Sequence, residues 1–143
     1  MKLISLSANK PSFKTIRFNE QGISLISAMR QETSSGNTYN SVGKSLSIYL
    51  IHFCLGAKCT PDFKEKLADW EFTLTFKEGD VVHTCLRKVA QSTKIIYDGE
   101  EMRSKDFTKM MGEAIFNLSE TSPKLLAFRD LLCHFIRKGE AGY

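Results

Sequence analysis

The spacing of apolar residues divides the chain into stretches that predict different elements. Near the N-terminus, two short apolar segments, Leu3–Leu6 and Phe13–Phe18, predict a pair of neighbouring strands. Asn9-Lys10-Pro11 separates them, because proline cannot donate to a strand ladder. After the turn signal Asn19–Gly22, the β-rich run Ile23–Ile26 predicts a third strand, buried inside a sheet.

The chain then changes from polar to apolar within a few residues. Residues 30–40 are rich in Ser, Thr, Asn and Gly, which is the composition of a loop. Ser45–Leu55 is apolar almost all round and is followed by Gly56, so we predict a buried helix with a C-terminal glycine. A strand, a polar loop and a buried helix in this order are the context of a phosphate-binding loop.

The second half begins with alternation of apolar and polar residues. Phe72–Phe76, Val81–Arg87 and Lys94–Tyr97 predict an antiparallel sheet of three or more strands, with tight turns at 78–80 and 98–99. The spacing then becomes helical, so the chain is expected to be of mixed α/β (α+β) class.

Two helices are predicted in the last forty residues. Asp106–Phe116 and Leu125–Ile136 both carry apolar residues at helical spacing. Ser122-Pro123 marks the start of the second helix, where the missing N–H of proline does no harm.

Composition narrows the class of protein without identifying it. The chain has 143 residues, of which 42% are hydrophobic, enough for the core of one domain. Its net charge of +4 comes from twenty basic and sixteen acidic residues without any basic block, so it is weak evidence for a nucleic-acid partner. No run is long and apolar enough for a signal peptide or a membrane span, and we expect a cytoplasmic protein.

The cysteines do not form a recognisable metal or redox motif. The spacings of Cys54, Cys59, Cys85 and Cys133 match neither a zinc knuckle nor a CxxC pair. Free thiols are therefore predicted, and a mixed metal site with His52, His83 or His134 is the alternative.

The residues that carry chemistry lie between the polar loop and the buried helix. Thr38–Ser45 fits the GxxxxGK[ST] pattern except at Thr38, which stands at the position of the first glycine. In such a loop Lys44 reaches the β- and γ-phosphates of ATP, and the Ser45 hydroxyl binds Mg²⁺. The predicted nucleotide-binding residues are Asn40, Ser41, Val42, Gly43, Lys44, Ser45 and Leu46.

The tripeptide Gly43-Lys44-Ser45 is weak evidence by itself. A GK[ST] sequence occurs by composition alone in roughly one chain in ten or fifteen of this length. The alternative interpretation is an ordinary helix N-terminus with a serine cap.

The order of these segments resembles the nucleotide-binding heads of SMC and RecF/RecN-type ATPases, in particular a bacterial SMC-like subfamily. In those heads a strand pair opens the chain, a strand beginning with glycine follows, and the loop reads Asn-x-x-Gly-Lys-Ser, as in Asn40–Ser45. The apolar end of the following helix, Ile51–Gly56, is similar to the "hydrophobic, then Leu-Gly" ending of the SMC helix. Two departures are Thr38 and Ser41, which replace glycines common in such heads.

The resemblance implies a partial ABC/SMC ATPase head over residues 1–143. Its parts would be a P-loop core at 1–60, an antiparallel β lobe at 68–100 and a helical segment at 104–138. Residues between the first two strands, Ser12, Phe13 and Lys14, would contact the base or ribose, although Phe13 also suits a core position.

The resemblance also implies what the chain works with. ATP and Mg²⁺ would be its cofactors, and its partners would be the C-terminal half of its own head, a second head in a homodimer, and DNA with a nuclease or accessory subunit. The whole would be a coiled-coil machine that acts on DNA or in bacterial anti-phage defence. No membrane partner is expected.

Hydrolysis in this class requires motifs that the sequence does not supply. An apolar strand ending in Asp-Glu and a signature serine are needed, whereas Ile95–Glu101 fits a surface hairpin better. We therefore expect a segment of a longer protein, inactive alone. Two other classes stay open: a non-catalytic interaction module with a degenerate P-loop, and a small basic nucleic-acid-binding domain.

Overall fold

The computed structural model describes residues 1–26, 44–119 and 127–135 of the chain. Within these ranges it contains six strands and four helices. In chain order they are β1 (Lys2–Ala8), β2 (Ile16–Arg17), α1 (Lys44–Cys54), α2 (Pro61–Lys66), β3 (Glu71–Glu78), β4 (Val81–Lys88), β5 (Lys94–Tyr97), β6 (Glu100–Arg103), α3 (Ser104–Phe116) and α4 (Phe128–Phe135).

All six strands belong to one antiparallel sheet, in the order β2-β1-β3-β4-β5-β6. β1 pairs with β3, so strands from the predicted core segment and from the predicted β lobe share a single sheet. The turn between β5 and β6 holds Asp98 at φ 50° and Gly99 at φ 90°, the two positive values of a tight type I′ hairpin. The mixed α/β class and the antiparallel sheet are confirmed.

One face of the sheet forms the floor of the core. Buried residues alternate along β3, and the register places Leu6, Leu74 and Cys85 side by side on three neighbouring strands. All three are completely buried. Period-two alternation in the sequence arises because successive strand side chains point to opposite faces.

α1 and α3 pack against this face of the sheet. α1 contacts β3 and β4, and α3 contacts β5, β6 and α4. Phe53 on α1 lies 5.4 Å from the Phe63 ring of α2 and 6.2 Å from the Phe72 ring of β3. Such aromatic pairs contribute about 0.5–1.5 kcal/mol beyond the area that they bury, so this cluster holds α1 firmly on the sheet.

Predicted boundaries agree with the structure for most elements. α1 ends at Cys54, one residue before the predicted Leu55, and α3 begins two residues before the predicted Asp106. α4 lies inside the predicted range Leu125–Ile136, of which residues 125, 126 and 136 are outside the described part. The short helix α2 was not predicted, and it begins after Thr60, whose side chain accepts a hydrogen bond from the Phe63 amide.

The predicted strand at Ile23–Ile26 is wrong. These residues form no strand, and the exposed fractions of Ile23 and Leu25 are 87% and 86%. The preceding turn takes up part of the segment, because the Asn19 amide donates to Ser24 Oγ and Asn19 Nδ2 donates to the Ile23 carbonyl. β-branched residues favour a strand only where a neighbour and a packing surface exist, and within the described ranges none pairs with this run.

Candidate functional site

The candidate phosphate-binding residues lie at the start of α1. Asn40, Ser41, Val42 and Gly43 are outside the described residues. Lys44 and Ser45 are the first two residues of α1, and Ser45 and Leu46 are exposed. A few residues later Leu50 and Phe53 are completely buried, so α1 has an open N-terminal end and a buried C-terminal half.

The N-terminal end of α1 has the electrostatics of an anion site. The first N–H groups of a helix have no partner within the helix, and the aligned peptide dipoles place a partial positive charge there. The first turn of α1 contains no acidic side chain that could neutralise this charge. A helix end of this kind favours the binding of an anion such as phosphate.

The other end of α1 is fixed by a glycine cap. The Gly56 amide donates to the Phe53 carbonyl and the Ala57 amide to the His52 carbonyl, at 3.1 and 2.9 Å. This is a Schellman motif, with Gly56 in the left-handed region at φ 90°. A Cβ at Gly56 would come within 2.5 Å of Thr108 Cγ2 on α3, so glycine also permits close packing between the two helices.

A buried arginine completes this cap, and the sequence analysis missed it. Arg87 on β4 is only 3% exposed, and its guanidinium stacks over the Phe53 ring at 4.4 Å from the centroid. It donates to the carbonyls of Phe53 and Ala57 at the end of α1 and to the Ser92 carbonyl. A positive charge here compensates the negative end of the helix dipole.

The signal for this role was present in the alternation of β4. Arg87 shares the parity of Cys85, so period two already placed it on the buried face. Burial lowers the pKa of Arg87 from its ordinary value, which marks the desolvation that the carbonyl hydrogen bonds must offset.

The loop between β1 and β2 holds the other candidate residues. Ser12 and Lys14 are exposed, while Phe13 packs edge-on against Phe72 at 5.9 Å and belongs to the rim of the core. The loop is tied to the segment before β3, because Asn9 Nδ2 donates to the Asp69 carbonyl and the Glu71 amide donates to Asn9 Oδ1. Packing therefore accounts for Phe13 without a ligand.

The cysteines are free thiols, as predicted. The Cys85 thiol donates to the Cys54 carbonyl at 2.9 Å, and burial raises its pKa to about 12. Burial likewise raises the pKa of Cys54 well above its ordinary value. Over the ranges that the structure describes, no three His, Cys, Asp or Glu side chains come together as a metal site.

The segment Ile95–Glu101 is a hairpin, as expected. Asp98 accepts hydrogen bonds from the Thr84 amide and pairs with His83 Nδ1, both at 2.7 Å. Burial alone would raise the pKa of Asp98, but these two partners outweigh it and the pKa is lowered. Glu100 and Glu101 are exposed on β6. The Asp98 carboxylate therefore stabilises a turn, and the three acidic residues do not end a buried strand.

Comparison with protein-family models, with curated proteins and with solved structures gives no match to this chain. The likeness to SMC-type heads therefore rests on the sequence motif, because Ile23–Ile26 do not form the strand expected before the loop. None of the described helices has the length and apolar character needed to cross a bilayer.

Proposed function

We propose that this chain binds Mg-ATP at the N-terminal end of α1 and forms the N-terminal half of an SMC-like ATPase head. The observation that carries the proposal is the position of Gly43-Lys44-Ser45, which immediately precedes and opens a buried helix whose first turn has no acidic residue. Lys44 would contact the β- and γ-phosphates and Ser45 would bind Mg²⁺. Amides from Ser41 to Leu46 would surround the β-phosphate.

The anchoring of α1 supports this role. A cradle of amides acts on a phosphate without reorganisation only if the helix behind it is held in place. Arg87, Gly56 and the Phe53 cluster fix the C-terminal half of α1 against the sheet and α3. The free energy of phosphate binding would then rearrange the loop and the segments that contact the γ-phosphate.

The proposal assigns hydrolysis to residues from other segments. ATP would be enclosed by the C-terminal half of the same head and by the signature serine of a second head, and hydrolysis would separate the two. Ile23, Leu25 and Leu46 are exposed apolar residues on the described part of the chain. In the proposed assembly these side chains pack against the C-terminal half, and the complete machine acts on DNA or in anti-phage defence with a nuclease or accessory subunit.

Thermal unfolding with and without Mg-ATP tests the proposal. A ligand at 100 times its Kd stabilises the folded state by about 2.7 kcal/mol, which corresponds to a rise in Tm of about 8 °C for a chain of this size. Lys44→Ala should remove at least three-quarters of this rise. Lys64→Ala, which removes an equal charge at an exposed position of α2, should retain it.

An unchanged Tm at millimolar Mg-ATP, or an equal response of both variants, would refute nucleotide binding at this loop. Two interpretations would then remain: a protein-interaction module with a degenerate P-loop, and a small basic nucleic-acid-binding domain. For the first, a protein partner, and not nucleotide, would raise the Tm.

A further inference from the structure

A basic concavity lies at the end of α1 that is opposite the candidate nucleotide site. Its volume is about 750 Å³, within the usual range for ligand sites. Among its eleven lining residues, all in the described part of the chain, six are lysine or arginine and none is acidic. We call this the basic pocket, and its cations are Lys58, Arg87, Lys94, Arg103, Lys105 and Arg129.

Three of these charges are already in use. Arg87 donates to the backbone carbonyls that end α1. Lys94 pairs with Glu101 at 2.6 Å and Arg103 pairs with Asp106 at 2.8 Å. These three residues shape the wall of the pocket, while their charges are partly compensated within the fold.

The other three cations have no carboxylate partner within the described ranges. Lys58, Lys105 and Arg129 form no ion pair there, and all three are exposed. Arg129 lies close enough to Arg87 to add to the lowering of the Arg87 pKa that burial causes. Like charges around one concavity raise its potential and favour a bound anion.

Neutral polar residues also line the basic pocket. Ser92, Thr93 and Ser104, which carry hydroxyl donors, belong to the same wall. Ser104 is the first residue of α3, but its amide donates to the Thr93 carbonyl and Asp106 lies in the first turn, so this helix end adds little to the potential.

The cationic surface continues beyond the pocket. A second concavity of about 300 Å³ lies between α3 and α4, and it shares Lys105 and Arg129 with the first. It adds Lys109, one helical turn from Lys105 and so about 6 Å further along α3, and one acidic residue, Glu113. Lys109 already takes part in another interaction, so the continuation depends on Lys105 and Arg129, which line both concavities. Cations shared by two adjoining concavities suit an extended polyanion better than a single compact anion.

We propose that the basic pocket and its extension along α3 bind the backbone phosphates of a nucleic acid. None of the residues that line the basic pocket, all in the described part of the chain, is an aromatic residue on which a base could stack. Contacts limited to phosphates position a nucleic acid without reading its sequence, so binding would be independent of base sequence. This site does not depend on the proposed nucleotide site, because α1 separates them by eleven residues, about 16 Å.

The test compares two triple variants with the same change of net charge. Lys58→Gln/Lys105→Gln/Arg129→Gln removes the uncompensated cations of the pocket. Lys2→Gln/Arg17→Gln/Lys64→Gln removes three exposed cations elsewhere, and each variant changes the net charge from +4 to +1 because three positive charges are lost. Binding of a fluorescent 20-nucleotide DNA is measured by anisotropy from 50 to 200 mM salt, with tripolyphosphate as competitor.

The expected result is specific to position. The pocket variant should bind DNA at least tenfold more weakly than the natural chain, with a salt slope smaller by about two, since each lost phosphate contact lowers it by roughly 0.7–0.9. The control variant should lose less than threefold. Equal losses in both variants, or a pocket variant that retains its affinity, would overturn the proposal.

The competitor identifies the source of the phosphates. DNA should resist displacement by tripolyphosphate at equal phosphate concentration, because the surface spans more than one compact anion. Displacement at equal phosphate concentration would overturn the nucleic-acid assignment. The Mg-ATP response of Tm should persist in the pocket variant, so failure of either site is distinguishable from failure of the other.

Discussion

Replacement of Gly56 by alanine tests whether the end of α1 depends on its close approach to α3. Two costs are expected. The left-handed φ of 90° costs a residue with a Cβ about 1–2 kcal/mol. The new Cβ would also lie 2.5 Å from Thr108 Cγ2, and overpacking of this kind costs about 1–3 kcal/mol.

Gly99→Ala provides a matched control for the first cost. Gly99 has the same φ of 90°, but a Cβ there would meet nothing within 4 Å. We therefore expect Gly99→Ala to lower the free energy of unfolding by about 1–2 kcal/mol, and Gly56→Ala to lower it by about 3 kcal/mol. Urea denaturation followed by circular dichroism measures both values.

Thr108→Ser isolates the second cost. Serine lacks Cγ2 but keeps the hydroxyl that donates to the Lys105 carbonyl at 2.9 Å. In the double variant Gly56→Ala/Thr108→Ser, about 1 kcal/mol or more of the loss should return, as a coupling energy between the two sites. A coupling below about 0.3 kcal/mol, with equal effects of Gly56→Ala and Gly99→Ala, would refute the packing argument.

Two further predictions concern buried polar groups. Arg87→Met should lower the free energy of unfolding by about 3–5 kcal/mol, because carbonyls at the end of α1 lose their donor. The control Arg17→Met, at an exposed position, should change it by less than about 0.5 kcal/mol. Similar urea midpoints for the two variants would contradict this prediction. The Cys85 thiol has an ordinary pKa of 9.0 and a folded pKa of about 12. The contribution of this thiol to the free energy of unfolding is therefore complete below pH 9 and decreases by up to about 1.4 kcal/mol per pH unit as pH rises toward 12. In Cys85→Ala the urea midpoint should depend less on pH between 8.5 and 10.5. The same pH dependence of the midpoint in both proteins would count against this prediction.

The sequence predicted elements whose periodicity comes from burial. The alternation in β3 and the apolar run of α1 were sufficient, because a half-buried strand and a buried helix leave different spacings. Gly56 was also predictable, since a helix that ends in the left-handed region favours glycine.

Other features depend on distant contacts that no local pattern contains. The run Ile23–Ile26 has strand propensity, but a strand also needs a partner with free hydrogen-bonding groups. The basic pocket brings together residues from five separate segments, among them Lys58, Lys94 and Arg129. Absence of a basic block in the sequence therefore did not exclude a basic surface in the fold.

For the candidate site, the sequence contains the motif, and the structure shows how the far end of α1 is held in place. Nothing in residues 38–45 indicates that Arg87 lies at the far end of the same helix. This contact joins residues 34 positions apart. From the sequence one could predict only that Arg87 lies on the buried face of β4, and not which groups it contacts.

The most direct test of the account is a calorimetric titration of the chain with AMP, ADP and ATP in the presence of Mg²⁺. Because the proposed cradle surrounds the β-phosphate, ADP and ATP should bind at least tenfold more tightly than AMP, and Lys44→Ala should abolish that preference. Equal affinities for AMP and ADP, or a preference that survives Lys44→Ala, would contradict the assignment of a phosphate-binding loop to the start of α1.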